Sequence, residues 1–194
     1  MSRDNRQIRT ILSDFKTRDD SEEPIIEGYF AVFNSNYEIF NGCTESIAPG
    51  AFSDTLSGDI RALIDHDTRL VIGRTTARTL ELTEDQRGLW GRIRINPKDS
   101  DAMNLHARVE RGDVSQCSFG FNILDEEHEA REDGTHHFTI KKVRLFEVSC
   151  CTFPAYEETA ISARKADIAD YEKRAADVWR KNALKKLKEV NENA

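Results

Sequence analysis

The chain has 194 residues, which is enough for one domain with a hydrophobic core and additional segments at its ends. Its net charge is −7 at pH 7, and its basic residues are mixed with acidic ones, which argues against nucleic acid as a main partner. Because no apolar run approaches the roughly 20 residues of a membrane span, and residues 1–23 lack the apolar segment of a signal peptide, we expect no membrane association and a cytoplasmic location.

The first predicted segment is residues 1–24. Charged residues dominate it, and the apolar residues are scattered without a period. Such a composition is typical of a segment that buries little surface. The sequence therefore predicts a flexible N-terminal leader, with at most a short helical turn around residues 8–15.

Residues 25–162 form the predicted folded domain. Short runs of β-forming residues, separated by turn residues, indicate a mostly β domain with helices, an α+β fold. Residues 25–33 should be a core strand, and residues 79–82 and 89–95 should form a β-hairpin. Further strands are expected at residues 70–73, 115–121 and 138–153, with an exposed charged loop at 125–134.

Two helices are predicted inside this domain. The first should run over residues 49–56, because Pro49 suits the first turn of a helix and Ser57-Gly58 can end it. The second should run over residues 99–111, with Asp99 or Ser100 as its cap and Gly112 as its terminator.

Residues 163–194 are predicted to form one long amphipathic helix. Apolar residues recur there at spacings of three and four among many charges, without glycine or proline. Such a helix usually docks on a partner or pairs with a copy of itself. A solvated tail is the alternative.

The stretch Ser115–Phe121 carries the candidate nucleophile. Strand alternation places Phe119 and Phe121 on one face and Ser118 with Gly120 on the other. A small hydroxyl beside a glycine leaves open space above Ser118. Serine is a weak nucleophile at neutral pH, however, and needs a base and a third group that orients the base.

His66 and Glu147 are the candidate partners. His66 follows an apolar run and lies between Asp65 and Asp67, whereas the other histidines look like surface residues. Glu147 lies between Phe146 and Val148, and a carboxylate in an apolar strand is costly unless it is paired. An imidazole that needs orientation is one such partner; an arginine or a water-facing edge position is another.

Two other chemistries compete with the serine. A zinc site would use histidines and a carboxylate, but no H-x-x-x-H or H-E-x-x-H spacing occurs. Cys117 could be a nucleophile, yet alternation places it on the face of Phe119 and predicts a core position. The four cysteines are expected to be reduced and buried, and we expect no metal and no cofactor.

Several short motifs occur together in a fixed order. They are Gly28–Phe33, Glu45 with Pro49–Phe52, His66-Asp67, Ile72–Arg74, Gly88-Leu89, Arg111-Gly112, Ser118–Phe121, Glu147–Ser149 and Pro154–Tyr156. In this order they resemble the prohead, or capsid maturation, proteases of tailed bacteriophages. The resemblance covers residues 25–162.

The resemblance implies a fold and a catalytic group. The family is similar in fold to the herpesvirus assemblin proteases, so we expect a β-barrel surrounded by helices. Ser118 and His66 match the family's nucleophile and base. Glu147 falls where the third member stands, which implies a serine endopeptidase of Ser-His-Glu type; Asp65 and Asp67 remain alternatives for the third role.

The resemblance also implies substrates and a place of action. Such proteases cleave scaffold and major capsid protein, and themselves, inside the procapsid in the host cytoplasm, and they act as homo-oligomers. The oxyanion-binding groups are expected near residues 154–156. Two rival functions remain: a catalytically inactive capsid-assembly or scaffold protein on the same fold, and a metal-dependent hydrolase.

Overall fold

The structure is a computed structural model that describes residues 6–13, 15–18, 24–153 and 158–192. The chain divides into two compact units, Met1–Tyr156 and Glu157–Ala194. No helix in the described ranges is both long enough and apolar enough to cross a membrane.

The first unit is built from eleven described strands and one helix. In chain order these are β1 (Gln7–Leu12), β2 (Lys16–Arg18), β3 (Ile25–Val32), β4 (Tyr37–Phe40), β5 (Cys43–Ile47), β6 (Arg61–Ile64), β7 (Asp67–Arg74), β8 (Leu80–Glu84), β9 (Gly88–Arg94), α1 (Ser100–Arg111), β10 (Gln116–Ala130) and β11 (His136–Cys151). The second unit contains α2 (Glu158–Glu192).

The larger sheet has seven strands and positions the candidate site. Its main path is β1-β10-β11-β5-β4, and β6 joins β11 to β7. Strand β10 lies antiparallel between β1 and β11. Strand β11 pairs in parallel with β5 along its first part and with β6 along its last part, which brings β6 beside Glu147.

The smaller sheet has four antiparallel strands in the order β2-β3-β9-β8. Strands β8 and β9 form the predicted hairpin. Apolar residues from both sheets meet in one core, where Phe119 stacks on Phe121 with ring centroids 4.8 Å apart. Burying each such aromatic side chain stabilises the fold by about 1.5–3 kcal/mol.

The mostly β, α+β class expected from the sequence is confirmed. The barrel expected from the resemblance is not found: the described strands form two sheets, and no closed barrel exists among them, because the outer strands β1 and β4 of the large sheet do not pair.

Helix α1 forms where the sequence predicts it. The Asp99 side chain accepts hydrogen bonds from the backbone N–H groups of Asp101 and Ala102, at 3.0 and 3.2 Å. Gly112 ends the helix in the left-handed conformation, with φ 87°. His106 on this helix was expected at the surface, but its side chain is buried.

The helix predicted over residues 49–56 is wrong. Consecutive turns occupy this stretch instead. Gly50 has φ +88°, which a right-handed helix does not allow. The Glu84 carboxylate accepts hydrogen bonds from the backbone N–H groups of Gly50 and Phe52, and this contact from a distant strand supports the turns.

The N-terminal segment also differs from the flexible leader that the charges suggested. Residues of β1 and β2 are strands of the two sheets. Arg9 explains the difference, since its guanidinium is buried and bonds both carboxylate oxygens of Glu45, at 2.5 and 2.9 Å. The charged side chain of Arg9, which by itself indicates an exposed position, is buried.

Two further boundaries shift. Strand β10 continues to Ala130, into the stretch 125–134 that was expected to be a loop, although most side chains there are exposed. Helix α2 begins at Glu158, five residues before the expected start at 163. On α2, the side chains of Val178, Trp179 and Leu184 are exposed. Burial of Trp179 and Leu187 against another chain stays a prediction, and the side chain of Leu187 lies outside the described residues.

Candidate active site

Ser118 lies on β10, between β1 and β11. Its Cα partners are Thr10 on β1 and Ser149 on β11, so the three side chains share one face of the sheet. The serine is fully buried rather than open to solvent. Its hydroxyl donates to the backbone carbonyl of Arg9 at 2.8 Å and accepts from the Thr10 hydroxyl at 3.2 Å.

His66 stands in the tight turn that joins β6 to β7. Asp65 and His66 both have left-handed backbones, with φ 47° and 61°, which costs energy for residues other than glycine. The Asp65 carboxylate holds this turn by accepting from the backbone N–H and hydroxyl of Thr152, at 2.7 and 3.1 Å.

Glu147 on β11 is the carboxylate that meets His66. Its Oε1 lies 2.7 Å from the Nδ1 of His66, and its Oε2 accepts from the Ser149 hydroxyl at 2.6 Å. Burial alone would raise the pKa of Glu147, but hydrogen bonds from His66, Ser149 and Arg6 hold that pKa below its usual value. The carboxylate is therefore ionised near neutral pH.

The two neighbouring aspartates have other partners. Asp67 binds the guanidinium of Arg69 and accepts from its backbone N–H at 2.9 Å, and the Asp65 carboxylate binds Thr152. Among the described residues, the carboxylate that is hydrogen-bonded to the His66 ring is that of Glu147.

Gly120 makes room for this group. It pairs with Glu147 across the two strands, and a Cβ at this position would overlap the Glu147 carboxylate and come within 2.6 Å of the Arg6 guanidinium. The glycine beside the candidate serine therefore allows a close approach of the carboxylate to β10.

Two residues at the site were missed by sequence reasoning. Ser149 bonds Glu147 and lies 3.4 Å from the His66 Nδ1; its place two residues after Glu147 on a strand was the available signal. Arg6 binds Glu147 Oε1 at 2.5 Å. No local sequence pattern predicts this contact, because the two residues lie 141 positions apart in the chain.

The structure thus brings His66 and Glu147 together, with Ser149 beside them. Ser118 faces the same side of the sheet, but within the described ranges its hydroxyl bonds to β1 and not to His66. The expected oxyanion-binding residues 154–156 lie outside the described residues.

A cavity of about 450 Å³ opens beside Glu147. Its lining residues are Arg6, Arg61, Leu63, Thr68, Val71, Asn122, Phe146 and Glu147. Leu63, Val71 and Phe146 supply its apolar wall, and the other five residues supply its polar part.

The alternative nucleophile faces away from this group. Cys117 points into the core, its thiol lies 3.0 Å from the backbone carbonyl of Tyr29, and burial raises its pKa to about 12. A thiol is nucleophilic as the thiolate, so this environment opposes reactivity. Within the described ranges no group of three or more histidine, cysteine, aspartate or glutamate residues is arranged to hold a metal ion.

Comparison with known proteins identifies the family of this chain. Residues 13–174 match the family model described as Caudovirus prohead serine protease. The prohead protease of Enterobacteria phage HK97 is 32% identical over 158 residues, which are 79% of this chain and 66% of that protein.

A solved structure shares the fold. The bacteriophage T4 capsid assembly protease has a TM-score of 0.54 and 12% sequence identity, and the similarity covers 77% of this chain and 98% of that one. Since the family model matches most of the chain, the chain belongs to the Caudovirus prohead serine protease family.

Proposed function

We propose that this protein is a serine endopeptidase of Ser-His-Glu type that acts in phage head maturation. The observation that carries the proposal is the buried Glu147 carboxylate on the Nδ1 of His66, at 2.7 Å, on the strand next to Ser118. A buried carboxylate that accepts from Nδ1–H fixes the tautomer in which Nε2 can accept a proton; this Nε2 lies 3.7 Å from the Cys151 thiol.

The proposed reaction is acyl transfer. The Ser118 oxygen bonds to the scissile carbonyl carbon while its proton passes to the Nε2 of His66. That proton then goes to the leaving nitrogen as the carbon–nitrogen bond breaks, and water hydrolyses the remaining ester by the same route in reverse. Glu147 orients the ring and stabilises its charged form.

The proposed substrates are the phage scaffold and major capsid proteins, and the protein itself. Support comes from the family and from the two relatives, a prohead protease and a capsid assembly protease. The proposed place of action is the procapsid in the host cytoplasm, and the acting form is a homo-oligomer.

The test is co-expression with the phage's scaffold and capsid proteins, followed by mass spectrometry of the products. Ser118→Ala and His66→Ala should each abolish cleavage, and their combination should cost little more than either alone, because the residues act as a unit. Ser115→Ala is the matched control, since Ser115 is exposed and lies three positions earlier on the chain.

Circular dichroism should show that each variant is folded. If the folded Ser118→Ala variant cleaved at the wild-type rate, the serine mechanism would be rejected. Absence of cleavage by the wild-type protein would favour the inactive capsid-assembly alternative.

A further inference from the structure

We propose that a peptide substrate binds as an added strand on β10, in the place that β1 occupies here, and that Glu45 selects a basic residue before the scissile bond. This inference rests on the proposed function, because it concerns the same serine. It names the class of substrate: an extended segment with arginine or lysine at one fixed position.

The first support is the position of the β1 backbone. Reacting atoms in a productive complex lie about 3–3.5 Å apart. The Ser118 hydroxyl donates to the Arg9 carbonyl oxygen at 2.8 Å, so the carbonyl carbon bonded to that oxygen, which is the kind of atom a serine attacks, lies nearby. The peptide group between Arg9 and Thr10 therefore lies beside the proposed nucleophile, as a scissile peptide must.

The second support is the site that receives the Arg9 side chain. The guanidinium lies 5.7 Å from the centroid of the Phe121 ring and bonds both oxygens of Glu45. Side-chain exposure is 5% for Arg9 and 2% for Glu45. A planar cation held by two parallel bonds in a buried place is a specific recognition geometry.

A peptide that replaced β1 would present its own side chain to Glu45. Arginine or lysine would restore the buried ion pair with Glu45, whereas a neutral residue would lose the two charge-assisted hydrogen bonds of that pair. A cavity of about 70 Å³ lies beside Arg9 and Glu45, lined in part by Tyr37, Ile47 and Phe119. The site therefore has room for side chains that differ from arginine in shape.

The third support is Arg6, which precedes β1. It shares Oε1 of Glu147 with His66, so the N-terminal segment contacts both the proposed nucleophile and the proposed carboxylate. When β1 is displaced, Arg6 leaves with it and the Glu147 charge remains for the His66 ring. Strand addition also suits an extended substrate, because backbone hydrogen bonds supply affinity while side-chain sites supply specificity.

Displacement of β1 can be tested with the native thiol of Cys117. Ile11 is its Cα partner across β1 and β10, and paired residues of this kind lie about 4.5–5.5 Å apart, within disulfide range. In the full-length Ile11→Cys variant, oxidation should reduce cleavage in proportion to the crosslinked fraction, and reduction should restore it. Ile11→Ser under the same oxidant is the control, and full activity of a crosslinked protein would overturn the inference.

Selectivity can be tested by sequencing the products of a peptide library. The wild-type protein should cut after arginine or lysine, and a folded Glu45→Gln variant should lose that preference by about 10- to 100-fold, because its site no longer holds a charge. Products without basic ends, or an unchanged preference in Glu45→Gln, would contradict the role of Glu45 while leaving the serine mechanism standing.

A binding measurement separates this inference from the cleavage mechanism. In full-length Ser118→Ala carrying Arg9→Gln, a labelled peptide with the sequence of residues 6–13 should bind about 10-fold or more tightly than the same peptide with glutamine at its second arginine, the one corresponding to Arg9. Adding Glu45→Gln should remove the difference. Equal binding of both peptides to the folded protein would overturn the inference, whether or not the wild-type protein cleaves.

Discussion

Replacing Glu147 by glutamine tests the third member of the proposed catalytic group. The side chain keeps its shape, and the structure predicts how it will sit. The amide oxygen can remain on the His66 Nδ1–H, where Oε1 now lies at 2.7 Å, while the amide NH₂ turns to the Ser149 oxygen, which now bonds Oε2. The imidazole would then keep its tautomer and lose the neighbouring charge.

The expected loss follows from that charge. Two unit charges about 4 Å apart near a protein surface interact by about 4 kcal/mol, and a retained neutral hydrogen bond returns about 1 kcal/mol. The net loss of about 3 kcal/mol corresponds to a drop in kcat/KM of about 10²-fold. This is smaller than the roughly 10⁴-fold loss seen in a serine protease where the amide fixes the wrong tautomer.

The assay is kcat/KM on a cleaved capsid or scaffold peptide, for Glu147→Gln, for Ser149→Ala and for both together. Ser149→Ala removes the acceptor that fixes the amide orientation, so the double variant should lose more activity than the sum of the two free-energy changes predicts. Unchanged kcat/KM in folded Glu147→Gln would move the third role to Asp65, Asp67 or a water molecule.

Three further predictions concern groups around the site. Gly120→Ala should reduce cleavage while leaving the protein folded, because its Cβ would displace the Glu147 carboxylate. Gly134→Ala strains a backbone at φ +81° but meets no atom within 4 Å, so it should leave the cleavage rate unchanged and serves as a control for the loss of a glycine. Cys117→Ala should retain cleavage and lower the free energy of unfolding by about 1 kcal/mol or more through a cavity, and loss of activity in the folded variant would indicate a thiol mechanism. Burial lowers the pKa of His137 from its ordinary value near 6.5, so the unfolded chain binds more protons and stability should fall as pH drops below that value. Urea unfolding on both sides of pH 6.5 should show this slope, and His137→Gln should flatten it.

The parts of the molecule that sequence reasoning predicted correctly are governed by local chemistry. Helix α1 follows from its own cap, Asp99, and its own terminator, Gly112. The contact of Glu147 with His66 was also expected, because a carboxylate inside an apolar strand needs a partner and an isolated imidazole needs orientation.

The parts that it missed depend on distant residues. The turns around Gly50 are supported by Glu84, which a local reading of Pro49 does not reveal. The charged composition of residues 1–24 predicts a flexible leader, and only Glu45, 36 positions away from Arg9, makes the charge of Arg9 suitable for the interior. The same error made Ser118 look open, since β1 is the strand that covers it.

The two contacts of the N-terminal segment have one consequence for how the proposed enzyme could be controlled. Arg9 and Thr10 hold the Ser118 hydroxyl, and Arg6 competes for Glu147. Both contacts belong to one short stretch of chain, so release of that stretch would free the nucleophile and the carboxylate in a single step. The buried Arg9–Glu45 pair opposes release, because separating the pair removes the attraction that offsets the cost of burying the two charges. A substrate that brings its own cation to Glu45 avoids that cost, whereas a neutral segment does not. The ion pair that holds β1 in place would therefore also decide which peptides can replace it.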